Sequence, residues 1–413
     1  MINRAIERYL KKKPIAFHSP AHCGLEHPSD LSELTGLDDL QYPREVIKES
    51  QDFVAELFGA QKSFYLINGA SVGIQAAILS VKKDKPLLVS RNIHKSVISG
   101  LILSGHQVEW LETEWLEDWA IYSKFTLDAK KDLKNYSAFI CTNPSYEGIY
   151  SKLPELEIPV IVDEAHGAHY HFSDKLPKPA LKCGADIVIQ SWHKTLGSLT
   201  QTGVLHINKE SKIPQEIIAA NLRLLQTTSP SYLLLESLCS TAHKMKESGE
   251  ELFKETINLA NKINFPLLKN DDPLRAMFKI PGLNGKNLDD LFEEEGVALE
   301  SHSTKAALAF INIGNKREDI ENLNEVYKKI KAHSITENSI KNPNKAIFGE
   351  QKLNIRDAYF HKSKIVKSDE AIGKVCQELY APCPPGIAVL VPGQIITKEN
   401  LQIAGKTEIS IVA

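Results

Sequence analysis

A lysine follows an apolar run of residues and is surrounded by polar side chains. The stretch 189–203 reads IQSWHKTLGSLTQTG, so Lys194 comes shortly after the run ADIVIQ at 185–190 and directly after His193. A lysine that is partly withdrawn from water has a lowered pKa and becomes nucleophilic, as formation of a Schiff base requires. Lys194 is therefore a candidate nucleophile, although its residue type alone would fit an ordinary surface lysine.

A carboxylate and a glycine-containing turn follow two other apolar runs. Asp163 comes directly after residues 159–162, where a charge is costly unless a cation or a donor is near. The turn NGASVG at 68–73 opens a helical stretch, and free N–H groups at a helix start, with the Ser71 hydroxyl, suit a phosphate. The simpler interpretations are a structural ion pair for Asp163 and a helix cap for Ser71.

Short apolar runs alternating with helical stretches must position these groups. We predict strands at FYLI, PLLVS, YSAFICT, PVIVDEA, ADIVIQS and VLHI, and helices at 74–81, 94–105 and about 230–264. Another helix is predicted to open at Pro43 and to stop at Gly59. This pattern predicts an α/β fold with a mainly parallel sheet and helices on both faces. In such sheets ligands bind at the carboxyl ends of the strands, where these polar residues should converge.

A metal site is a competing interpretation of the residues after Asp163. His166, His169 and His171, with Asp163 or Glu164, are ligand types that suit zinc or iron. If HYHF is extended, His169 and His171 share one face, while the neighbouring turn orients His166 independently. Because this spacing is not a recognised ligand pattern, no metal is expected.

The stretch IVDEAH at 161–166 also looks like the Walker B and DEAH signature of helicases. That class needs a phosphate-binding loop, G-x-x-x-x-G-K-[ST], earlier in the chain. The Gly-Lys-Thr at 405–407 comes later, and Asn400 stands where the first glycine of the loop should be. The pattern therefore argues against a nucleoside triphosphatase.

Length and composition indicate an ordinary globular protein. The chain has 413 residues, of which 42% are hydrophobic and 24% charged, and a net charge of -3, so neither nucleic acid nor a membrane surface is an expected partner. No apolar run approaches the length of a transmembrane helix or a signal peptide, and we expect a cytoplasmic protein. The cysteines lack C-x-x-C spacing and are expected to be free thiols; they are Cys23, Cys141, Cys183, Cys239, Cys376 and Cys383.

The pattern of elements changes near residue 265, where we place a domain boundary. We predict an N-terminal arm at 1–45, a large domain at 46–264 and a smaller α+β domain at 265–413. The Asn- and Lys-rich stretch 331–353 is expected to be an exposed loop.

Several stretches together resemble the pyridoxal-phosphate (PLP) enzymes of the aspartate-aminotransferase fold, and within them the family that decarboxylates ornithine, lysine and arginine. The pattern S-x-H-K, with D-E-A-H-G about 30 residues upstream, is the most specific part. The resemblance is dense over 15–240 and thin after that. The matching stretches are PAHCG (20–24), TGLDDLQYP (35–43), FYLINGASVG (64–73), RNIHKSVISGLILSG (91–105), IVDEAHGAH (161–169), ADIVIQSWHKTLGSLTQTG (185–203), TTSPSYLLLESL (227–238) and PPGIAVLVPG (384–393).

The resemblance implies a role for each candidate residue. Lys194 would hold PLP through its amine, and Asp163 would keep the pyridine nitrogen protonated. The small side chain of Ala165 would let the ring lie flat, and His94 would stack on its other face. The implied phosphate-binding residues are Ser71, Ala70, Ser191 and His193. Ala70, Cys383 and Gln394 depart from the family pattern, which usually has a hydroxyl residue, an aromatic residue and glutamate at these positions.

The implied fold is a seven-stranded, mainly parallel large domain, and the implied reaction is decarboxylation of arginine, lysine or ornithine to agmatine or a diamine. Lys194 or His193 would return a proton to the α carbon. A homodimer or larger assembly with a shared active site is also implied, with QTTSPSY (226–232) reaching the partner.

Fold does not fix the reaction, and two alternatives stay open. One is another PLP reaction, such as that of an aminotransferase or a lyase. An aminotransferase would bind the substrate carboxylate with an arginine late in the chain, for which Arg356 is a candidate. The other is a non-catalytic PLP-binding protein.

Overall fold

The computed structural model describes residues 1–128, 131–333, 349–382 and 386–413. Most of the predicted loop at 331–353, Cys383 and the first two residues of PPGIAVLVPG lie outside them. Each of the described cysteines is a free thiol. Within these ranges no helix combines the length and the apolar character that a bilayer span requires.

Helices and strands alternate through the first half of the chain, as the sequence predicts. The strands are β1 Lys62–Leu66, β2 Leu87–Ser90, β3 Val108–Leu111, β4 Thr113–Leu116, β5 Ile121–Phe125, β6 Ala138–Thr142, β7 Val160–Asp163, β8 Ile187–Gln190, β9 Gly203–Ile207, β10 Arg275–Phe278, β11 Ser301–His302, β12 Ala307–Phe310, β13 Ser363–Lys367 and β14 Glu408–Val412. The α-helices are α1 Ile2–Lys11, α2 Val46–Phe58, α3 Gly69–Leu79, α4 Lys95–Ser104, α5 Trp192–Thr195, α6 Gln215–Leu225, α7 Tyr232–Ala260, α8 Gly285–Glu294, α9 Arg317–His333, α10 Ile355–Tyr359, α11 Ser368–Ala371 and α12 Lys398–Ala404.

Seven strands form one sheet in the order β1-β9-β8-β7-β6-β2-β3. Strand β7 is parallel to β8, and β2 is parallel to both β3 and β6. Strand β9 is antiparallel to β8 and β1, because the connection at 191–202 turns the chain back without a crossover to the other end of the sheet. The predicted α/β class with a mainly parallel, seven-stranded sheet is confirmed.

Helix α2 begins later than the sequence predicts. Pro43 lies before the helix, whose first residue is Val46. The carboxylate of Asp38 accepts hydrogen bonds from the backbone N–H groups of Glu45 and Ile47, at 2.8 and 3.0 Å, so a residue eight positions upstream of Val46 satisfies the free donors of the first turn. The predicted stop is confirmed, because Gly59 has a left-handed conformation with φ of 71°.

The chain divides into two compact units. The first contains Met1–Val81 and Leu153–Phe253, and the second contains Lys82–Lys152 and Lys254–Ala413. Besides the seven-stranded sheet there are small antiparallel sheets, namely β10-β12-β11, β4-β5 and β13-β14. The three-part division at residues 45 and 264 stays a prediction.

Candidate active site

The carboxylate of Asp163 is buried at the end of β7 in the first unit. The residue is 4% exposed, and its Oδ1 atom accepts a hydrogen bond of 3.1 Å from the backbone N–H of Ala165. Burial raises the pKa of the Asp163 carboxyl, while the positive charge of Lys194 and the bond from Ala165 act in the opposite direction. Asp163 is therefore a buried acid beside a cation, and a second positive group would stabilise its ionised form.

The amine of Lys194 lies next to His166, which the sequence analysis considered only as a possible metal ligand. Lys194 is half-buried in α5, the short helix that follows β8, and its Nζ atom lies 2.9 Å from Nε2 of His166. An amine and an imidazole at this distance share a hydrogen bond through which a proton can pass. His166 is 6% exposed and belongs to the turn after β7.

His193, beside Lys194, is held in one tautomer. Its Nδ1 atom lies 2.9 Å from the carbonyl oxygen of Thr202. Because a carbonyl only accepts, Nδ1 carries the proton, and the Nε2 atom of the neutral ring is an acceptor. Burial lowers the pKa of His193, and the charge of Lys194 lowers it further, which favours the neutral ring. Neutral His193 can take up a proton but cannot donate a hydrogen bond from Nε2 to a phosphate.

The start of helix α3 lies against the end of β8 in the same unit. At Gly203, the first residue of β9, a Cβ atom would lie 2.7 Å from the carbonyl oxygen of Gln190 and 3.3 Å from the backbone nitrogen of Ala70. Glycine therefore permits this close approach. Ala70 and Ser71 are the second and third residues of α3, where N–H groups have no partner within the helix. The donors suit a phosphate, as the sequence predicts.

Two further candidates lie in the same region. Ser191 is 3% exposed, directly precedes α5, and its carbonyl oxygen accepts a hydrogen bond of 3.1 Å from the backbone N–H of Lys194. Ala165 is 8% exposed and lies two residues beyond Asp163. The structure thus brings one group of candidates into the first unit: Ala70, Ser71, Asp163, Ala165, Ser191, His193 and Lys194.

His94 belongs to the second unit, where it precedes helix α4. Its Nδ1 atom accepts hydrogen bonds from the backbone N–H and the hydroxyl of Ser96, at 3.2 and 2.8 Å. The edge of its ring faces Gly386, where a Cβ atom would lie 2.8 Å from Cδ2 of His94. The backbone N–H of Lys95 donates to the carbonyl oxygen of Gly386 at 2.9 Å, which holds Gly386 beside the ring of His94.

The remaining histidines after Asp163 do not form a metal site in the part of the chain that the structure describes. The HYHF stretch is not extended, because residues 168–172 form a 3-10 helix. His169 is fully buried against Phe253, and His171 is tilted against Phe58 at 4.8 Å between ring centres. Burial lowers the pKa of His171 to about 4, so it is a neutral packing residue.

Arg356, the candidate for an aminotransferase carboxylate site, is engaged elsewhere in the second unit. Its guanidinium donates to the backbone carbonyl oxygens of Ile102 and Leu103 in the last turn of α4. A cation there stabilises the negative end of the helix dipole. This contact accounts for Arg356 without a substrate carboxylate.

The sequence does indicate that His166 belongs to the site, but through its spacing from Asp163 and not through a metal-ligand pattern. The spacing D-E-A-H places His166 three residues after the buried acid, and the turn then brings its ring to the amine of Lys194. Spacing relative to Asp163 would have identified it as a site residue. Its distance from a lysine 28 residues later follows only from the pairing of β7 with β8.

Known proteins have sequences and structures similar to this chain. The model of the family "Orn/Lys/Arg decarboxylase, major domain" matches residues 3–276. The arginine decarboxylase of Bacillus anthracis is 30% identical over 97% of this chain and 92% of its own length, and that of Bacillus subtilis (strain 168) is 29% identical over 96% and 91%. The solved lysine decarboxylase LdcF of Francisella novicida superposes with a TM-score of 0.85, covering 100% of this chain and 81% of that one; at 19% identity this shows the fold.

Proposed function

The chain belongs to the Orn/Lys/Arg decarboxylase family, and on that premise we propose that it removes the α-carboxylate of arginine, giving agmatine and carbon dioxide. The family consists of PLP-dependent amino-acid decarboxylases. The observation that carries the proposal is the buried carboxyl of Asp163 beside the amine of Lys194, at the carboxyl ends of neighbouring strands.

The choice of arginine rests on sequence identity. The arginine decarboxylases of Bacillus anthracis and Bacillus subtilis are 30% and 29% identical to the chain. The lysine decarboxylases of Escherichia coli and Hafnia alvei are 24% and 20% identical, over 62% and 90% of the chain. Arginine and lysine differ in their distal group, so an acidic contact suited to a guanidinium would distinguish them.

The residues of the first unit fit PLP. Burial raises the pKa of Asp163, and a protonated pyridine nitrogen beside it would add a positive charge that favours the ionised carboxylate. When bound, PLP supplies a ring that accepts the electron pair released as the substrate carboxylate leaves. Lys194 would hold it, and Ala165 would leave room for a flat ring. The stacking role of His94 stays a prediction.

The phosphate of PLP would lie at the start of α3. The backbone N–H groups of Ala70 and Ser71, the Ser71 hydroxyl and the helix dipole all favour a dianion there. Ser191 would add a hydroxyl from the end of β8. His193 is better suited to accepting a proton than to binding phosphate, since its proton is on Nδ1 and points to Thr202.

The proton needed at the α carbon would come from Lys194. Loss of carbon dioxide leaves an electron pair on that carbon, and one proton from solution is consumed overall. The Nζ atom of Lys194 would deliver the proton, and His166, at 2.9 Å, would return one to it. Neutral His193, once its Nε2 atom has taken a proton from solution, would be a second possible donor to the α carbon.

We also propose that the working form is a homodimer. Three large apolar side chains of the N-terminal arm are almost fully exposed: Ile15 at 86%, Phe17 at 95% and Leu25 at 88%. Apolar groups concentrated in one short segment favour burial against a partner. Analytical ultracentrifugation of the wild type and of Phe17→Asp tests this, with a dimer expected for the first and a weakened dimer for the second. A monomeric wild type at micromolar concentration would contradict it.

The reaction is tested with PLP-loaded protein and equal concentrations of arginine, lysine and ornithine. We expect carbon dioxide and agmatine from arginine, with kcat/KM on the order of 10-fold or more above the other substrates. Lys194→Ala should lose both the absorbance of the bound cofactor and carbon dioxide release. Lys209→Ala, which removes an exposed lysine, should behave as the wild type.

Each contrary result points to a different error. Release from lysine or ornithine alone would overturn the choice of arginine but keep the reaction. A keto acid without carbon dioxide would replace decarboxylation by transamination. Unchanged cofactor absorbance in Lys194→Ala would overturn the site itself.

A further inference from the structure

The side chain of Gln190, the last residue of β8, makes three hydrogen bonds in the interior of the first unit. It is 1% exposed, and its Nε2 atom donates to Oε2 of Glu164 at 2.7 Å. Its Oε1 atom accepts from Nε1 of Trp192 at 3.0 Å and bonds Nε2 of His206 at 3.1 Å. Because the indole N–H can only donate, the orientation of the Gln190 amide is fixed.

The first of these bonds connects Gln190 to the neighbour of Asp163. Glu164 is 1% exposed, and its second oxygen, Oε1, accepts from the backbone N–H of Ala180 at 2.7 Å. Both oxygens of the Glu164 carboxyl therefore have donors. One donor is the backbone of Ala180, which precedes β8, and the other is the side chain of Gln190 at the end of β8. Since Glu164 follows Asp163 in the chain, this anchor also fixes the end of β7 that carries Asp163.

The second bond connects Gln190 to the helix that carries the lysine. Trp192 is fully buried, and its carbonyl oxygen accepts from the backbone N–H of Leu196 at 2.8 Å, closing the single turn of α5. Its ring lies 5.5 Å from that of Phe58, at an interplanar angle of 28°. Lys194 lies two residues beyond Trp192, so the indole determines where this turn, and with it the amine, is placed.

The third bond fixes Gln190 from the side of β9. Burial lowers the pKa of His206 to about 3, so the ring is neutral. Its Nε2 atom must donate to Gln190, which leaves Nδ1 to accept from the Ser63 hydroxyl at 2.8 Å. Every polar atom of the Gln190 amide thus bonds a group that is itself held, which makes the arrangement rigid.

We propose that Gln190 is a positioning residue: its amide joins the neighbours of Asp163 and Lys194 and so fixes the separation between the acid and the amine. This inference deepens the proposed function and rests on it. A catalytic group misplaced by about 1 Å can cost on the order of 10²-fold in rate, so a residue that sets this separation affects kcat without touching substrate.

A reciprocal exchange of acid and amide tests the proposal. Gln190→Glu brings a carboxylate against Glu164, and Glu164→Gln brings two amides together; either change breaks the central bond. In the double variant the amide introduced at position 164 would donate to the carboxylate introduced at position 190. That carboxylate would still accept from Trp192 and His206, and the amide oxygen at position 164 would still accept from Ala180. Every bond is restored with acid and amide exchanged.

We expect kcat for arginine to fall about 10- to 100-fold in each single variant, with KM changed less than about threefold, and to recover to within about fivefold of wild type in the double variant. Asn208→Asp is the matched control. Its amide donates to two backbone carbonyl oxygens of the same unit, at 3.0 and 2.9 Å, so the change perturbs stability away from the lysine turn. It should lower Tm and leave kcat within about twofold.

A readout without substrate or cofactor accompanies the kinetics. Amide hydrogen exchange in the cofactor-free protein should become faster over residues 191–195 in both single variants and return to the wild-type rate in the double variant. Unchanged exchange at 191–195 in the single variants, or a double variant no better than the worse single, would overturn the proposal. If all variants exchange as expected while the wild type releases no carbon dioxide, the positioning role stands and the proposed reaction fails.

Discussion

Asp163 and Glu164 are neighbours at the end of β7, but different residues surround their two carboxyl groups. We call these two groups of residues the Asp163 side and the Glu164 side. The Asp163 side contains Asp163, His166 and Lys194, and Asp163 itself bonds one backbone N–H among the described residues. The Glu164 side contains Glu164, Gln190, Trp192 and His206, and both oxygens of Glu164 have donors at 2.7 Å.

We interpret the Glu164 side as part of the structural support and the Asp163 side as the part that binds the proposed cofactor. On the Glu164 side the hydrogen bonds of the side chains are made within the chain, so binding of a ligand does not have to form or break any of them. Burial raises the pKa of both carboxyl groups, but the Asp163 carboxyl has one backbone N–H and the charge of Lys194 near it, whereas Glu164 has two hydrogen-bond donors. An acid with one hydrogen bond and a neighbouring amine, next to an acid whose two oxygens both have donors, is what we expect of a binding site on a rigid support.

The largest effect should come from Asp163→Asn, which keeps the shape and removes the charge. We expect kcat to fall on the order of 10³-fold, because the protonated pyridine nitrogen that we propose beside Asp163 would lose its counterion. The Tm of the cofactor-free variant at pH 8 should equal or exceed that of wild type, since a costly buried charge is gone. A clear fall in Tm would contradict the division between the two sides.

His166→Phe should have the next largest effect. A planar aromatic ring is retained but both nitrogens are lost. We expect kcat to fall about 10²-fold, because the amine of Lys194 loses the group with which it exchanges a proton. His166→Gln, which can still bond Nζ, should retain more activity than His166→Phe. Steady-state kinetics across pH measures both; equal losses in the two variants would favour a packing role.

On the Glu164 side the pH dependence of stability is the sensitive quantity. Burial raises the pKa of Glu164 from 4.5 to about 7, so in the folded state the acid stays protonated where the unfolded chain has ionised it. Its contribution to the free energy of unfolding is therefore fully present below pH 4.5 and is lost as pH rises towards 7, by about 3 kcal/mol. Urea unfolding of Glu164→Gln should show a fall that is smaller by this amount, because buried Glu147 and Asp163 contribute falls of their own. The exposed control Glu155→Gln should show the full wild-type fall.

The smallest effect should come from Arg356→Gln, a change outside both sides. Its guanidinium bonds carbonyl oxygens at the end of α4, so kcat/KM for arginine should change less than about twofold and stability by about 1 kcal/mol or less. A loss of activity comparable to that of Asp163→Asn would mean that this arginine binds the substrate carboxylate. Transamination would then have to be reconsidered.

Much of the candidate site could be predicted because its residues follow strands. Apolar runs of β7 and β8 are visible in the sequence, and Asp163 and Lys194 come at or just after their ends. The start of α2 could not be predicted in the same way. Pro43 satisfies the local rule for a first helical residue, but Asp38, in a left-handed backbone conformation with φ of 72°, supplies the acceptor and moves the start to Val46.

By itself the sequence determined the fold class, the acid and lysine at strand ends, and every strand of the seven-stranded sheet except β3, because alternation of apolar runs and turns acts over a few neighbouring residues. The tertiary structure alone decided which side chains meet: His166 with Lys194, and Gln190 with Glu164, Trp192 and His206. These contacts depend on strand pairing and on the direction of each side chain. A difference of one residue in register would turn a strand side chain from one face to the other, so local patterns cannot specify them.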